Sequence, residues 1–173
     1  ENIALCDIEL RQPVPLSFFS KLRVLVFSNN IFFPGSLKNL FDNFPASLTV
    51  LSLGGSKHIA LSYGDTDITS EGSECPVCLR DDLFIEVTFM DVQDVGFIQT
   101  LFPRATLFDF QHDSVETLET TFQKMNMTEK RLSRAILSCN NSFNSTPLHV
   151  ACRLGDLRRC NWILSHNGRN DLK

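Results

Sequence analysis

Cys75 and Cys78 have the C-x-x-C spacing of a metal-binding or thiol-redox motif. A zinc site built on this spacing needs a second pair of ligands nearby, and the next cysteine along the chain is Cys139. A redox site needs the motif at the start of a helix that follows a strand, whereas this pair lies in acidic sequence rich in Ser and Gly. We therefore interpret Cys75 and Cys78 as loop thiols, and keep a small zinc or redox module as an alternative.

The other residues capable of chemistry show no catalytic spacing. The sequence contains no G-x-S-x-G nucleophile turn, no glycine-rich phosphate-binding loop and no H-E-x-x-H zinc motif. None of the four histidines has a Cys, Asp or Glu at a spacing that indicates a catalytic triad. The sequence therefore predicts no catalysis, no cofactor and no bound metal.

Length and composition allow one domain or two small ones, with an apolar core, since 43% of the 173 residues are hydrophobic. The net charge of −4 gives no reason to expect nucleic acid or an anionic membrane as a partner. No apolar run approaches the ~20 residues of a membrane span. Six scattered cysteines are typical of a reducing compartment, so we expect a cytoplasmic protein and treat the three N-x-S/T sequons as coincidental. The missing initiator Met indicates a piece of a longer chain.

A recurring apolar pattern in the first part of the chain predicts a series of short parallel strands. Leu22, Leu25, Phe27 and Asn30 follow the spacing L-x-x-L-x-L-x-x-N, and the same spacing returns further on with Ser56 at the Asn position. The pattern resembles a leucine-rich repeat with Phe admitted at apolar positions. The resemblance implies that the apolar side chains face the core and that the Asn amide bonds backbone groups inside the turn. The positions expected to correspond to Leu25 in the other copies are Ile3, Leu51, Val87 and Phe108.

The expected fold class is α/β, with a short parallel-sheet leucine-rich-repeat solenoid over residues 1–112. An acidic insertion at about residues 60–82 accounts for one long step between copies. The alternative is a doubly wound α/β domain, because strands at 23–28, 48–53, 84–90 and 105–110 would show the same alternation with helices.

Helical patterns replace the strand pattern after residue 112, so residues 113–173 are expected to form a second, α-helical part. The first helix is expected over 113–127, capped by Asp113, and a second helix is expected to start at Thr128. We interpret the pair as a cap on the end of the strand stack. The apolar stripe of the first helix consists of Val115, Leu118, Phe122 and Met125.

Residues 142–173 carry the most specific motif in the chain. The sequence TPLHVACRLGDLRRCNWIL, which starts at Thr146, resembles one ankyrin repeat, the first unit of an array. Pro147 is suited to the first position of a helix, and Gly155 to the left-handed position that ends it. The resemblance implies that His149 bonds backbone. Arg159 stands where the family has an apolar residue.

The second helix of this unit is expected to bury one apolar stripe. Cys152 in the first helix is expected on a buried face as well. The stripe of the second helix consists of Leu157, Cys160, Ile163 and Leu164.

Both repeat families bind other proteins, so the resemblance implies a protein–protein interaction scaffold or adaptor. Because side chains alternate along a strand, residues between the inward apolar positions are expected on an open sheet face. The alternative is a regulatory N-terminal segment of a larger enzyme, such as a kinase or an intracellular lipase. A protein partner is expected, and its identity and the oligomeric state are left open. The candidate partner-binding residues are Val26, Ser28, Ser52, Thr88, Met90, Asp109, Gln111, Asn144 and Asn167.

Overall fold

Parallel strands paired in chain order form the centre of the fold. The structure is a computed structural model, and it describes residues 2–4, 9–10, 16, 19–32, 36–60, 80–125, 137 and 145–166. Strands β1, β3, β5, β6 and β7 make a five-stranded parallel sheet in that order, and β2 pairs with β4 in a second parallel sheet. The strands are β1 (Asn2–Ala4), β2 (Glu9–Leu10), β3 (Val24–Val26), β4 (Ile31–Phe32), β5 (Val50–Ser52), β6 (Phe84–Glu86) and β7 (Thr106–Phe108).

Five helices complete the described part of the chain. Two lie between strands of the large sheet and three follow it. The helices are α1 (Ser36–Asp42), α2 (Val92–Leu101), α3 (Val115–Lys124), α4 (Pro147–Arg153) and α5 (Leu157–His166). None of these described helices has the length and the apolar composition that a membrane crossing needs. The parallel strands and the helices together confirm the predicted α/β class and parallel sheet.

The strand register shows where the sequence pattern was aligned correctly. Leu25 pairs with Ile3 and with Leu51, so both of these expected correspondences are confirmed. Leu51 pairs in turn with Ile85, and the expected correspondence with Val87 is wrong by two positions. Ile85 and Val87 are both apolar and point to the same side, so the alternation alone does not distinguish them.

The last strand was predicted one residue out of register. Ile85 pairs with Leu107, and the prediction placed Phe108 at this position. Because a one-residue slip exchanges the two faces of a strand, Phe108 and Phe110 lie on the face opposite to the one expected. The cause is local, since Leu107 and Phe108 are adjacent apolar residues and either could have faced the first core.

Both faces of the sheet are buried. Leu25, Leu51 and Ile85 belong to a first core that also contains apolar residues of α1 and α2. The alternate strand residues, such as Val26 and Phe108, belong to a second core with residues of α3, α4 and α5. Parallel sheets usually have both faces covered, because their crossover segments pack against them.

The turns after successive strands repeat the same backbone conformation. Asn29, Gly55 and Phe89 all have a positive φ, of 55°, 72° and 66°, and their spacing along the chain matches the offsets between β3, β5 and β6 in the strand register. Positive φ is uncommon outside glycine, and least common for a bulky residue such as phenylalanine. The three turns therefore share this backbone feature at matching positions of the strand register.

A buried serine joins two of these turns. The Ser56 hydroxyl donates to the Phe27 carbonyl oxygen at 2.7 Å and accepts from the Asn30 amide nitrogen at 3.2 Å. The Asn30 carbonyl oxygen accepts in turn from the Lys57 amide nitrogen. The predicted correspondence of Asn30 and Ser56 is confirmed, and Ser56 satisfies backbone groups that an apolar side chain would leave unpaired.

Helix α3 begins later than predicted. Its N-cap is Ser114, whose hydroxyl accepts from the Thr117 amide nitrogen at 3.1 Å. Asp113, the predicted cap, instead accepts from the Asp109 amide nitrogen at 2.8 Å. All four predicted stripe residues, from Val115 to Met125, are buried. The helix predicted to start at Thr128 lies outside the described residues, apart from the buried Leu137.

Helices α4 and α5 form the predicted helical hairpin. Thr146 is the N-cap, Pro147 is the first helical residue, and Gly155 has a φ of +71° in the turn. The Thr146 amide nitrogen donates to Nδ1 of His149 at 3.2 Å, so His149 does bond backbone.

The buried side of this hairpin differs from the predicted one. Leu157, Leu164 and Cys152 are exposed, whereas Trp162 is buried beside Cys160 and Ile163. Helix α5 has apolar residues on more than one side, so the hydrophobic pattern alone did not select the buried side.

Candidate interaction surface

Four of the predicted partner-binding residues are inaccessible. Val26 is 2% exposed, and Ser28, Ser52 and Thr88 are fully buried. The prediction that this sheet face is open is therefore wrong. The physical reason is that the sheet face that carries Val26 and Phe108 is covered. It belongs to the second core, in which the sheet packs against helices α3, α4 and α5.

The polar residues on this face form a buried hydrogen-bonded row. The Ser28 and Ser52 hydroxyls are 3.4 Å apart, and Ser52 donates to Oε2 of Glu86 at 2.7 Å. Oε2 also accepts from the Gly54 amide nitrogen at 3.1 Å, and Oε1 accepts from the Thr88 amide nitrogen at 2.7 Å. Both carboxyl oxygens of Glu86 therefore have donors.

Glu86 is a buried carboxyl group that the sequence reasoning missed. Its burial, which is the largest cause, raises its pKa from 4.5 to about 7 against the lowering effect of the Thr88 and Ser52 hydrogen bonds. Glu86 aligns with Ser52 and Val26 in the strand register. A Glu at a position where the neighbouring strands have a small or an apolar residue was the sequence signal that could have identified this group.

The row continues to the last turn and has no accessible member. The Thr88 hydroxyl accepts from the Phe110 amide nitrogen at 2.8 Å. Since Ser28, Ser52, Glu86 and Thr88 are each 0% exposed, the row presents no group to a substrate or ligand. Its hydrogen bonds hold neighbouring turns together, and it is not a candidate active site.

The remaining predicted residues have different environments. Met90 is partly buried and packs against the first core, so the prediction that it lies on an open sheet face is wrong. Asp109 accepts from the Gln111 amide nitrogen at 2.7 Å and contacts Nδ1 of His112 at 2.7 Å, and it therefore shapes the loop after β7. Asn144 and Asn167 lie outside the described residues, as does the Cys75–Cys78 motif.

Arg159 attaches the hairpin to the end of the sheet. Its guanidinium group donates to the Phe110 carbonyl oxygen, to the Asp113 carbonyl oxygen at 2.8 Å and to Asp156 at 3.0 Å. The side chain is only 13% exposed. The arginine that departs from the ankyrin pattern thus binds backbone carbonyls of the loop after β7. Arg158 adds an ion pair with Glu116 at the start of α3.

An aromatic cluster forms the apolar part of the same junction. The ring centroids of Phe122 and Trp162 are 5.0 Å apart, and those of Phe110 and Trp162 are 6.4 Å apart. Each ring comes from a different element, so the hairpin, helix α3 and the loop after β7 pack around one point. The orientation of the hairpin is set by polar and apolar contacts together.

The outer side of the hairpin exposes three leucines. Leu154 is 66% exposed, Leu157 is 76% exposed and Leu164 is 36% exposed. Leu157 and Leu164 are seven positions apart on α5 and therefore lie on the same side of the helix, two turns apart. We call these three residues the leucine stripe. They are half of the large exposed apolar residues in the described part of the chain, which also include Phe19, Ile31 and Val92.

The hairpin is basic within an acidic chain. Residues 145–166 contain three arginines and one aspartate, a net charge of +2, which leaves −6 for the rest of a chain whose total is −4. Arg153 and Arg158 are exposed beside the leucine stripe.

No group of three or more His, Cys, Asp or Glu side chains in the described ranges is arranged to hold a metal ion. No family model matches the chain, and it matches neither a curated protein nor a solved structure. The exposed leucines of the hairpin, Leu154, Leu157 and Leu164, are the candidate contact residues.

Proposed function

We propose that this chain is a protein-binding module of the scaffold or adaptor type, and that the leucine stripe is its contact surface. The observation that carries the proposal is the 76% exposure of Leu157 between two other exposed leucines on a firmly attached hairpin. Single exposed apolar residues are ordinary on protein surfaces, whereas a rimmed group of them is typical of interaction sites.

Burial of the leucine stripe against a partner contributes favourably to the free energy of binding. Full burial of a leucine side chain contributes about 1.5–3 kcal/mol, so the two most exposed leucines alone supply several kcal/mol. Binding also costs free energy when flexible side chains and loops become ordered. The hairpin reduces that cost, because Arg159 and the Trp162 cluster already hold its helices against α3 and the sheet.

The surface indicates the chemistry of the partner. The stripe favours apolar side chains at the centre of the contact, and the exposed Arg153, next to Leu154 in sequence, favours an acidic side chain at its rim. Opposite charges at a rim increase the association rate and the specificity more than the affinity. We therefore propose a partner that presents an apolar helix or loop with an acidic border.

The proposed role of the strand region is to hold the hairpin in a fixed orientation. The recurrent positive φ and the buried polar row are consistent with the repeat architecture implied by the leucine-rich resemblance. Stacked coils of this type hold attached elements in a defined orientation. The proposal assigns the contact to the hairpin and support to the strands.

The test is to change the stripe without changing the core. Leu157→Ser with Leu164→Ser removes most of the apolar contact, and Val92→Ser is the matched control because Val92 is 89% exposed on α2. Proteins captured by each form are compared by quantitative mass spectrometry, and one selected protein is then purified and titrated by calorimetry. We expect at least a tenfold loss of affinity for the double variant and none for the control.

Two outcomes contradict the proposal. Equal binding of the selected protein by the wild type and the double variant places the contact elsewhere. A concentration-dependent dimer in sedimentation velocity that the double variant abolishes shows that a second copy of this chain covers the stripe, in place of a different partner.

A further inference from the structure

Helices α4 and α5 bring two cysteines together across the hairpin. The Sγ atoms of Cys152 and Cys160 are 3.5 Å apart. Cys152 is exposed, whereas Cys160 is buried in the second core. The pair therefore combines one exposed cysteine and one buried cysteine.

We propose that Cys152 and Cys160 form a redox modification site, at which a hydroperoxide converts the two thiols into a reversible disulfide. The inference does not depend on the proposed protein-binding function. It rests on the distance between the two sulfur atoms, on their unequal exposure and on the rigid hairpin that carries them.

The geometry requires only a small movement. A disulfide bond is about 2.05 Å long, and the two sulfur atoms already lie in contact at 3.5 Å. The Gly155 turn keeps the two helices close, and the Asp156 amide nitrogen donates to the Ala151 carbonyl oxygen at 3.0 Å across it. Rotation of the Cys152 side chain, which has solvent on one side, supplies the approach.

The unequal exposure sets the order of the two steps. The Cys152 thiolate attacks one peroxide oxygen, which forms an S–O bond, breaks the O–O bond and leaves Cys152 as a sulfenic acid. The departing hydroxide or alkoxide takes up the proton of the original thiol. The oxidant thereby accepts two electrons, and the first product is water or an alcohol.

Cys160 completes the reaction. Its sulfur attacks the Cys152 sulfur, the S–S bond forms, and the S–O bond breaks to give hydroxide, which combines with the Cys160 proton as water. Removal of Cys160 from solvent is the largest cause that raises its pKa, followed by its hydrogen bond with Cys152. A thiol that stays protonated reacts slowly with peroxide, so Cys160 is suited to the second step and Cys152 to the first.

The disulfide would enclose part of the leucine stripe. The loop closed by residues 152 and 160 contains Leu154, Gly155 and Leu157. Closing this short loop restricts the unfolded chain, which stabilises the folded hairpin. Oxidation is therefore expected to make the exposed tip of the hairpin more rigid.

The experiment starts from the reduced full chain, which is treated with hydrogen peroxide, blocked with iodoacetamide and digested with trypsin without reduction. Cleavage after Arg134, Arg153 and Arg159 separates peptide 135–153 from peptide 160–169. We expect these two peptides to be linked, with the mass of two hydrogen atoms lost. Dithiothreitol is expected to restore both thiols.

Peptide 135–153 also contains Cys139, so variants must assign the link. Cys139→Ser is the matched control and is expected to keep the link, whereas Cys152→Ser is expected to abolish it. The inference is overturned if Cys152→Ser keeps the link or if Cys139→Ser loses it. It is equally overturned if Cys152 gains two or three oxygen atoms without a link to Cys160.

Thermal unfolding supplies a second readout. The oxidised wild type is expected to melt roughly 5 °C higher than the reduced form, because the closed loop costs the unfolded chain conformational entropy. The Cys152→Ser variant is expected to show no such rise after peroxide treatment. An unchanged or lower melting temperature of the linked wild type would show that the bond does not fit the native hairpin.

Discussion

The strand region and the hairpin place polar and apolar residues in opposite ways. Ser28, Ser52 and Glu86 are buried in the sheet, whereas Leu154 and Leu157 are exposed on the hairpin. The polar residues tolerate burial because each has a hydrogen-bond partner in the row. Residue polarity alone therefore assigns neither the core nor the surface, and a polar side chain is buried where hydrogen-bond partners are available.

Buried and exposed side chains of the same helix, α5, are expected to differ most in their contribution to stability. Trp162→Ala removes the buried ring that contacts Phe122, and we expect a loss of about 3–5 kcal/mol in the free energy of unfolding. Leu157→Ala on the same helix is expected to change it by less than about 0.5 kcal/mol, because Leu157 is mostly exposed. Chemical denaturation measures both. Similar losses for the two variants would mean that α5 buries the opposite side.

The buried carboxyl group of Glu86 makes the free energy of unfolding depend on pH between 4.5 and about 7. Burial raises the pKa of Glu86 from 4.5 to about 7, so between these values the folded chain keeps a proton that the unfolded chain has released. Stability from this group is therefore present below pH 4.5 and falls as the pH rises to about 7, by about 3 kcal/mol in total. Denaturation at a series of pH values measures the slope.

Glu86→Gln is expected to flatten this slope, because the amide does not titrate. Glu116→Gln is the control, since Glu116 is exposed and its own backbone hydrogen bond, followed by its contact with Arg158, lowers its pKa. The assignment to Glu86 fails if its variant keeps the wild-type slope between pH 4.5 and 7.

Two glycines, Gly54 beside the buried row and Gly96 in α2, are expected to respond differently to an added methyl group. A Cβ atom at Gly54 would lie 2.6 Å from Oε2 of Glu86, whereas one at Gly96 in α2 would meet nothing within 4 Å. We expect Gly54→Ala to cost about 1–3 kcal/mol, because the carboxyl group is held by three donors. Gly96→Ala is expected to stabilise by up to about 1 kcal/mol, since Ala favours helix. Equal melting temperatures for the two variants would show that Glu86 relaxes freely.

Much of the architecture was accessible from local patterns. The first two register correspondences were predicted correctly because Leu25, Ile3 and Leu51 belong to the same spacing of apolar residues. The hairpin was found because Pro147 and Gly155 have backbone preferences that act over a short stretch of chain. The leucine-rich and ankyrin assignments stay predictions.

The errors arose where the pattern allowed two answers. Because Leu107 and Phe108 are adjacent apolar residues, the pattern did not decide which of them faces the first core. The wrong choice placed Asp109 on the predicted open sheet face. The leucine stripe was missed because the return helix was assigned one apolar side, which included Leu157 and Leu164.

The parallel order of the strands, the first two register correspondences and the helical hairpin could be predicted from the sequence, because these depend on spacing and on the preferences of Pro and Gly. The tertiary structure decided which polar residues are buried, which side of α5 is exposed and how Arg159 joins the hairpin to the sheet. Those features depend on groups that are distant in sequence, such as Arg159 and the Phe110 carbonyl oxygen, and local periodicity carries no information about such contacts.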